Sequence, residues 1–398
     1  MLVLDGHSAA ALAFTRALGR AGHWVAVGAN RGIFAAAFLS RYCRARLEHP
    51  VSTDDSGAFA SAVAEFAKAN RIELIIPITE WTTLPLSQQR ASIEGICPVV
   101  LPDDNALQVA ADKYRTIELA RSLNIAVPET RLVHSMQDLE LNEAMQFPVV
   151  VKDRFSVRWV ENRCVFGSVS YAYTPEELRS KVKARLRDAG DVLLQNFVAG
   201  AGIGFSCFAL NGEIRLPFAW QRIRESDPRG SGSSARKSIP LSPELLESSS
   251  KLIQESGFQG IAMVEYKKDE NGKLVLMEIN GRPWGSIQLP IASGIDYPNY
   301  VVDWWLNRAE PPNRIKYREG INCRRIVGEL THLENVRRGT PAGWPIPFPG
   351  FWRTAAAISV PWYPGVCYDD VQLSDLRPGM AGIVNWVRVR VKKQVGSG

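Results

Sequence analysis

The sequence predicts an α/β unit followed by an α+β unit. An open parallel sheet with helices on its faces comes first, then strand pairs with interspersed helices, then a C-terminal extension. Three observations carry this. Apolar strand-like runs alternate with helical stretches through residue 104, the pattern of a parallel sheet covered by helices. Beyond it, Asn211-Gly212 and Asn271-Gly272 each separate two strand-like runs, as in β-hairpins. After residue 310 the chain turns rich in Pro and Trp, as in "GWPIPFPGFWRTAAAISVPWYPG".

In order, "LVLDG" reads as a strand and "SAAALAFTRALGRAG" as a helix with Gly22 just past its end. "HWVAVGA" is a second strand, "DSGAFASAVAEFAKAN" a helix entered from Asp54 or Asp55, and "IELIIPIT" a buried strand. The turn after the first strand contains Gly6 and lacks the other glycines of GxGxxG, which excludes a dinucleotide site. Pro102 and Asp103 open a segment whose helix, "DKYRTIELARSL", ends near Asn124, and Pro128 forces an extended entry into the next unit. "FPVVVKD" is a strand, "TPEELRSKVKARLRDAG" a helix with Pro175 in its first turn, and "DVLLQNFV" a strand. "GFSCFALNGEIRLPFAWQRIR" is a hairpin, "DPRGSGSSARKS" a Gly/Ser-rich loop, "SPELLESSSKLIQESG" a capped helix, and "IAMVEYKKDENGKLVLMEIN" a second hairpin.

Composition narrows the function classes. The 398 residues, 46% hydrophobic and 22% charged, are those of an ordinary globular protein. A formal charge of +6 without a long basic block favours small anionic ligands over nucleic acid. The six cysteines form no CxxC pair and do not cluster with the five histidines. That argues against a structural zinc or a disulfide framework and for a reducing cytoplasm. The first residues lack a basic segment before their apolar run, and Asp5, Arg16 and Arg20 interrupt it, so neither a signal peptide nor a membrane span is expected.

Glu265 precedes Asn271 by as many residues as Glu278 follows Gly272. In a tight two-residue hairpin these acids oppose each other on one face, and Asn280 shares that face two residues on. Two carboxylates and an amide oxygen suit Mg²⁺, and a cation would remove the repulsion of opposed like charges. A solvated hairpin is the competing reading; the apolar strand around Glu278 and the following Arg282-Pro283-Trp284 count against it. Lys152 ends an apolar strand, where it either snorkels or presents its charge to nucleotide phosphates. Gln195, Asn196, Phe197 and Val198 end another, where backbone groups and an apolar wall could meet an adenine. Residues 222–237 hold Arg222, Arg224, Arg229, Arg236 and Lys237 around Gly230–Ser233, read either as a surface loop or as an anion clamp.

In this order the motifs resemble the ATP-grasp superfamily, in particular its carboxylate–amine ligases, from Met1 to about Leu330. The resemblance implies a Rossmann-like pre-ATP-grasp domain over 1–104, a small ATP-grasp subdomain with linker helix over 105–194, a large subdomain with the metal site over 195–310, and an extension over 311–398. It also implies phosphate contacts from Lys113 and Lys152, an adenine hinge at Gln195–Val198, and Mg²⁺ (or Mn²⁺) on Glu265, Glu278 and Asn280. Arg282, Arg222 and Arg224 are the implied catalytic cations. Asn196 stands where the family commonly carries an acid, Asp153 where a proline is common, and "RCVFGSVS" keeps only Gly167 of a usually glycine-rich loop.

The implied activity is ATP-dependent: a carboxylate becomes an acyl phosphate, an amine attacks it, and an amide forms with release of ADP and phosphate. Expected partners are a small carboxylate and an amine, with no nucleic acid and no membrane; a homo-oligomer is compatible with the sequence. A kinase, a thiol ligase or a non-catalytic ATP-binding protein are the alternatives.

Overall fold

The computed structural model describes residues 1–140, 145–160, 163–188 and 190–395. Its N-terminal sheet is parallel, in the order β3-β2-β1-β4, with β1 at Leu2–Val3, β2 at Val25–Asn30, β3 at Cys43–His49 and β4 at Ile75–Ile76. Between β1 and β2 lies the helix Ala9–Arg20, capped by Ser8, and Gly22 follows it at φ +92°. The helix Ser56–Ala69 is capped by Asp55. Asp5 ties the ends of β1 and β4 together: its carboxylate accepts hydrogen bonds from Ile78 N, Thr79 N and Thr82 Oγ1.

The expected helix "DKYRTIELARSL" is Lys113–Ser122, and a further helix, Asp104–Ala111, precedes it. Asp112 separates them, accepting from Tyr114 N and Arg115 N as the cap of the second. A four-stranded sheet follows, ordered β5-β10-β6-β9: β5 at Thr130–Val133, β6 at Val149–Asp153, β9 at Val169–Ala172 and β10 at Val192–Asn196. Beside it lies the pair β7 (Val157–Val160) and β8 (Arg163–Phe166). The first half of "RCVFGSVS" is β8, whose side chains lie outside the described residues, and its last two residues begin β9.

The largest sheet has seven strands, ordered β15-β14-β11-β12-β13-β16-β17. These are β11 (Ala201–Leu210), β12 (Glu213–Glu225), β13 (Ser233–Ser238), β14 (Gly260–Lys268), β15 (Leu274–Asn280), β16 (Asn322–Arg324) and β17 (Val366–Tyr368). The Asn211-Gly212 turn has φ +50° and +81°, the doubly positive backbone that Asn-Gly favours. β16 and β17, from the Pro/Trp-rich tail, extend this sheet. The expected Gly/Ser loop is shorter than read. Residues 233–238 are strand, and only 226–232 connect β12 to β13.

Phe14, Leu18 and Val27 of the N-terminal unit share one buried core with Phe208 and Trp220 of the large sheet and Trp284 just past β15. Val133, Val149, Val151 and Val192 of the four-stranded sheet form a separate core with Leu178 and Val182. The four-stranded sheet thus buries its apolar face on its own helix, apart from the core shared by the other two units.

Candidate active site

Glu265 on β14 and Glu278 on β15 are direct cross-strand partners. The expected opposition is present, but the route to it differs. The connection is residues 269–273, closed by Gly272 N to Asp269 O at 3.0 Å, not a two-residue turn. Near the tip the register is therefore one residue off the sequence count, with Lys268 opposite Leu274 and Tyr266 opposite Leu276. A β-bulge at Met277 restores it. A bulge sets two consecutive residues against one partner, and Met277 and Glu278 both line the same cavity.

That cavity, of about 350 Å³, lies between the four- and seven-stranded sheets. Lys152, Gln195–Val198, Arg222, Glu265, Glu278, Asn280 and Arg282 all line it. Asn280 Nδ2 donates to Glu278 Oε1 at 3.2 Å. Burial and the nearby Glu278 push the Glu265 carboxyl up against the pull of Arg222. Burial would raise Glu278 as well, but Lys113, Asn280 and Lys152 together outweigh it and hold this carboxyl low.

Glycines on β11 shape the floor. Gly204 pairs with Glu265 on one side and Trp220 on the other. A Cβ on Gly204 would lie 2.0 Å from the Trp220 ring, and one on Gly202 would lie 2.6 Å from Arg222 Cδ. Without side chains there, Arg222 crosses β11 and pairs with Glu265. Its other nitrogen donates to Glu225 Oε1 and Ser231 O, each at 3.0 Å.

Lys152 is partly buried on β6, and burial lowers its ammonium pKa to about 8, with Glu278 opposing the shift. Lys113 is set back from the cavity lining and donates to Ser156 Oγ at 2.7 Å. Arg282 forms an ion pair with Glu80 at 2.6 Å, joining the N-terminal unit to the site, and its Nε is buried without a partner. Gln195 donates to Thr130 Oγ1 at 2.9 Å and Asn196 to Glu129 Oε2 at 2.9 Å. Asn196 Oδ1 is buried and unsatisfied.

Arg224 corrects an expectation. A second irregularity, between Arg222 and Arg224, turns it out of the cavity. It forks onto Glu329, which also receives Ser234 and Arg324. Arg236 is likewise no clamp residue, since it is buried against Asp369.

Sequence reasoning missed Lys267, whose Nζ donates to Val198 O at 2.8 Å and sits 5.1 Å from the Phe197 ring centre. Its place two residues beyond Glu265 on one strand was a usable signal. It also missed Tyr171 and Trp344, which pack edge-on against Phe197; nothing local marks these contacts between distant segments.

Among the described residues no cluster of three or more His, Cys, Asp or Glu forms. The oxygen donors at the cavity are two carboxylates and an amide. This set fits a hard cation such as Mg²⁺ that keeps water or phosphate in its shell. Arg222 holds the place of a counter-charge on Glu265.

A family model described as "ATP-grasp in the biosynthetic pathway with Ter operon" matches residues 188–329. A "Probable alpha-L-glutamate ligase" of Thioalkalivibrio sulfidiphilus is 26% identical over 223 residues, 54% of this chain and 69% of that protein. A D-alanine–D-alanine ligase of Neisseria meningitidis serogroup A is 26% identical over 191 residues, 45% of this chain and 59% of that protein. Among solved structures, an L-amino acid ligase from Bacillus licheniformis superposes with TM-score 0.60 at 15% identity, covering 78% of this chain and 74% of that one. The biotin carboxylase domain of Hydrogenobacter thermophilus 2-oxoglutarate carboxylase, solved with MgADP, superposes with TM-score 0.62 at 16% identity, covering 81% and 72%. The chain is thus similar, over residues 188–329, to an ATP-grasp family model, in sequence to ATP-grasp carboxylate–amine ligases, and in fold to solved ATP-grasp enzymes.

Proposed function

We propose that the protein is an ATP-dependent ligase that activates a small-molecule carboxylate as an acyl phosphate and couples it to an amine, releasing ADP and phosphate. One observation carries the reading. The opposed Glu265/Glu278 pair, with Asn280, shares a single cavity with Lys152, Arg222, Arg282 and the strand-end Gln195–Val198. Mg²⁺, or Mn²⁺ in its place, would be held by Glu265, Glu278 and Asn280, and when bound it supplies charge neutralisation at the ATP phosphates. The division at residues 104, 194 and 310 belongs to the same proposal.

In this reading Gln195–Val198 receive the adenine, with Asn196 Oδ1 as a free acceptor and Phe197 as an apolar wall. Glu129, bonded to Asn196, supplies the carboxylate that the hinge itself lacks. Lys152 and Lys113 oppose phosphate charge. Phosphoryl transfer depends mainly on positioning and charge stabilisation, so no side-chain base is needed for the carboxylate to attack. Arg282 and Arg222 hold the carboxylate and stabilise the oxyanion that forms when the amine attacks the acyl carbon. The 226–232 turn screens the acyl phosphate from water; Tyr171 fixes it by donating to Arg229 O at 2.5 Å.

A matrix of carboxylates and amines, assayed for ADP formation, tests the proposal. Release of ADP that requires both partners, with an amide product, is the expected result. ADP release with an alcohol or thiol acceptor and no amine would replace it with the kinase or thiol-ligase reading.

A further inference from the structure

A second and larger cavity, of about 960 Å³, shares no lining residue with the catalytic one. One wall is the carboxyl edge of the N-terminal sheet: His7 and Ser8, after β1, and the loop with Ile33 and Phe34, after β2. In the order β3-β2-β1-β4, later strands are added on opposite sides of β1. The switch point of that order lies between β1 and β4; the cavity lies outside the carboxyl ends of β1, β2 and β3, the end at which parallel sheets hold ligands. The opposite wall comes from the start of the helix Ile326–Arg337 and from the helix Arg377–Val395.

The charge balance at this cavity is uneven. Arg325, Arg388 and Lys392 line it and make no side-chain hydrogen bond or ion pair among the described residues. Arg390 is already engaged, with Glu334 at 2.7 Å. Of the two acids, Asp370 is also engaged, accepting from Ile326 N and Val327 N at the start of their helix. Only Glu48 is left to oppose three cations. The helix Ala9–Arg20 opens on the same cavity and has no acid in its first turn, which adds positive potential. Leu12, the exposed Ile33 and Phe34, and Val389 give the lining apolar surface, beside the polar His7, Ser8 and Asn385. A volume of this size with a few charged groups on an apolar surface is that of a small-ligand site.

We propose that this cavity binds an anionic small molecule, one phosphate or carboxylate group on an aromatic or branched apolar body, as a second site beside the catalytic one. The anion meets Arg325, Arg388 and Lys392, and the apolar body rests on Phe34 and Val389. A dinucleotide is excluded, because the β1 turn lacks the glycines that admit a pyrophosphate. The inference does not depend on the identity of the catalysed reaction.

The probe is 1-naphthyl phosphate, titrated calorimetrically into the full chain with and without saturating MgADP. The expected result is binding that survives MgADP, exceeds that of neutral 1-naphthylmethanol by about tenfold or more, and weakens with added salt. The double reversal Arg388→Glu/Lys392→Glu should remove it, as should Val389→Trp, which fills the apolar wall; all three positions are exposed. Displacement by MgADP, equal binding of the neutral analogue, absence of binding, or full binding by a folded double reversal would each overturn the proposal. The wild-type comparisons decide it even if a variant fails to fold.

Discussion

Arg222 reaches Glu265 across an intervening strand, and it can do so because Gly202 puts no side chain in its way. The guanidinium thus rests on one of the two carboxylates expected to receive a cation. Removing it leaves Glu265 partly buried, next to Glu278, with no counter-charge. Arg222→Ala should lower stability by about 2 kcal/mol, the scale of a hydrogen bond to a charged group. Mg²⁺ should raise the melting temperature of this variant more than that of the wild type, since the ion would replace the lost charge. Equal shifts in the two proteins would count against Glu265 as a ligand.

Glu278→Gln keeps the shape of the side chain and removes the charge that Lys113 and Lys152 hold in place. The fold should survive, and ADP formation should fall by about a thousandfold, corresponding to the several kcal/mol a metal supplies at phosphoryl transfer. Near-normal turnover in a folded variant would remove the metal assignment.

Lys152 should make nucleotide affinity depend on pH. With its pKa lowered to about 8, the side chain is charged below that pH and loses its charge above it. ATP affinity should therefore fall between pH 7 and 9. In the unfolded chain the same lysine stays protonated to about 10.4. The unfolded state then binds more protons across the interval from about 8 to 10.4, so the Lys152 contribution to stability rises with pH there. Lys152→Arg should flatten the affinity profile and Lys152→Ala should lower it at every pH. A wild-type profile already flat would exclude contact between Lys152 and phosphate.

Arg224 should behave as a stabilising residue only. Arg224→Ala leaves Glu329 with Arg324 and Ser234, so a loss of about 2 kcal/mol is expected, with ATP affinity and turnover per folded molecule unchanged. Weaker nucleotide binding at full folding would return Arg224 to the site.

The parts legible in the sequence were those fixed by local chemistry. Asp55, Gly22 and Ser242 mark helix ends because capping and positive φ are decided within a few residues. Glu265, Glu278 and Asn280 were legible because strand alternation is a period-two rule. Arg224 was misread because a backbone irregularity changes which face a side chain takes, and no composition signal marked it. Arg236 looked like part of a mobile loop because its partner, Asp369, lies far along the chain. Trp344 and Tyr171 meet at Phe197 for the same reason.

The bulge at Met277 bears on how relatives of this chain can be recognised. Its extra residue sits between Leu276 and Glu278 while Tyr266 and Glu265 remain adjacent on the partner strand. A homologue without that residue would still set the same two acids face to face and would lose only one side chain from the cavity wall. The count of residues between the acids is therefore free to drift during evolution while their opposition persists. A search pattern with a fixed gap would discard such sequences, whereas one anchored on the alternation of Glu278 and Asn280 would keep them.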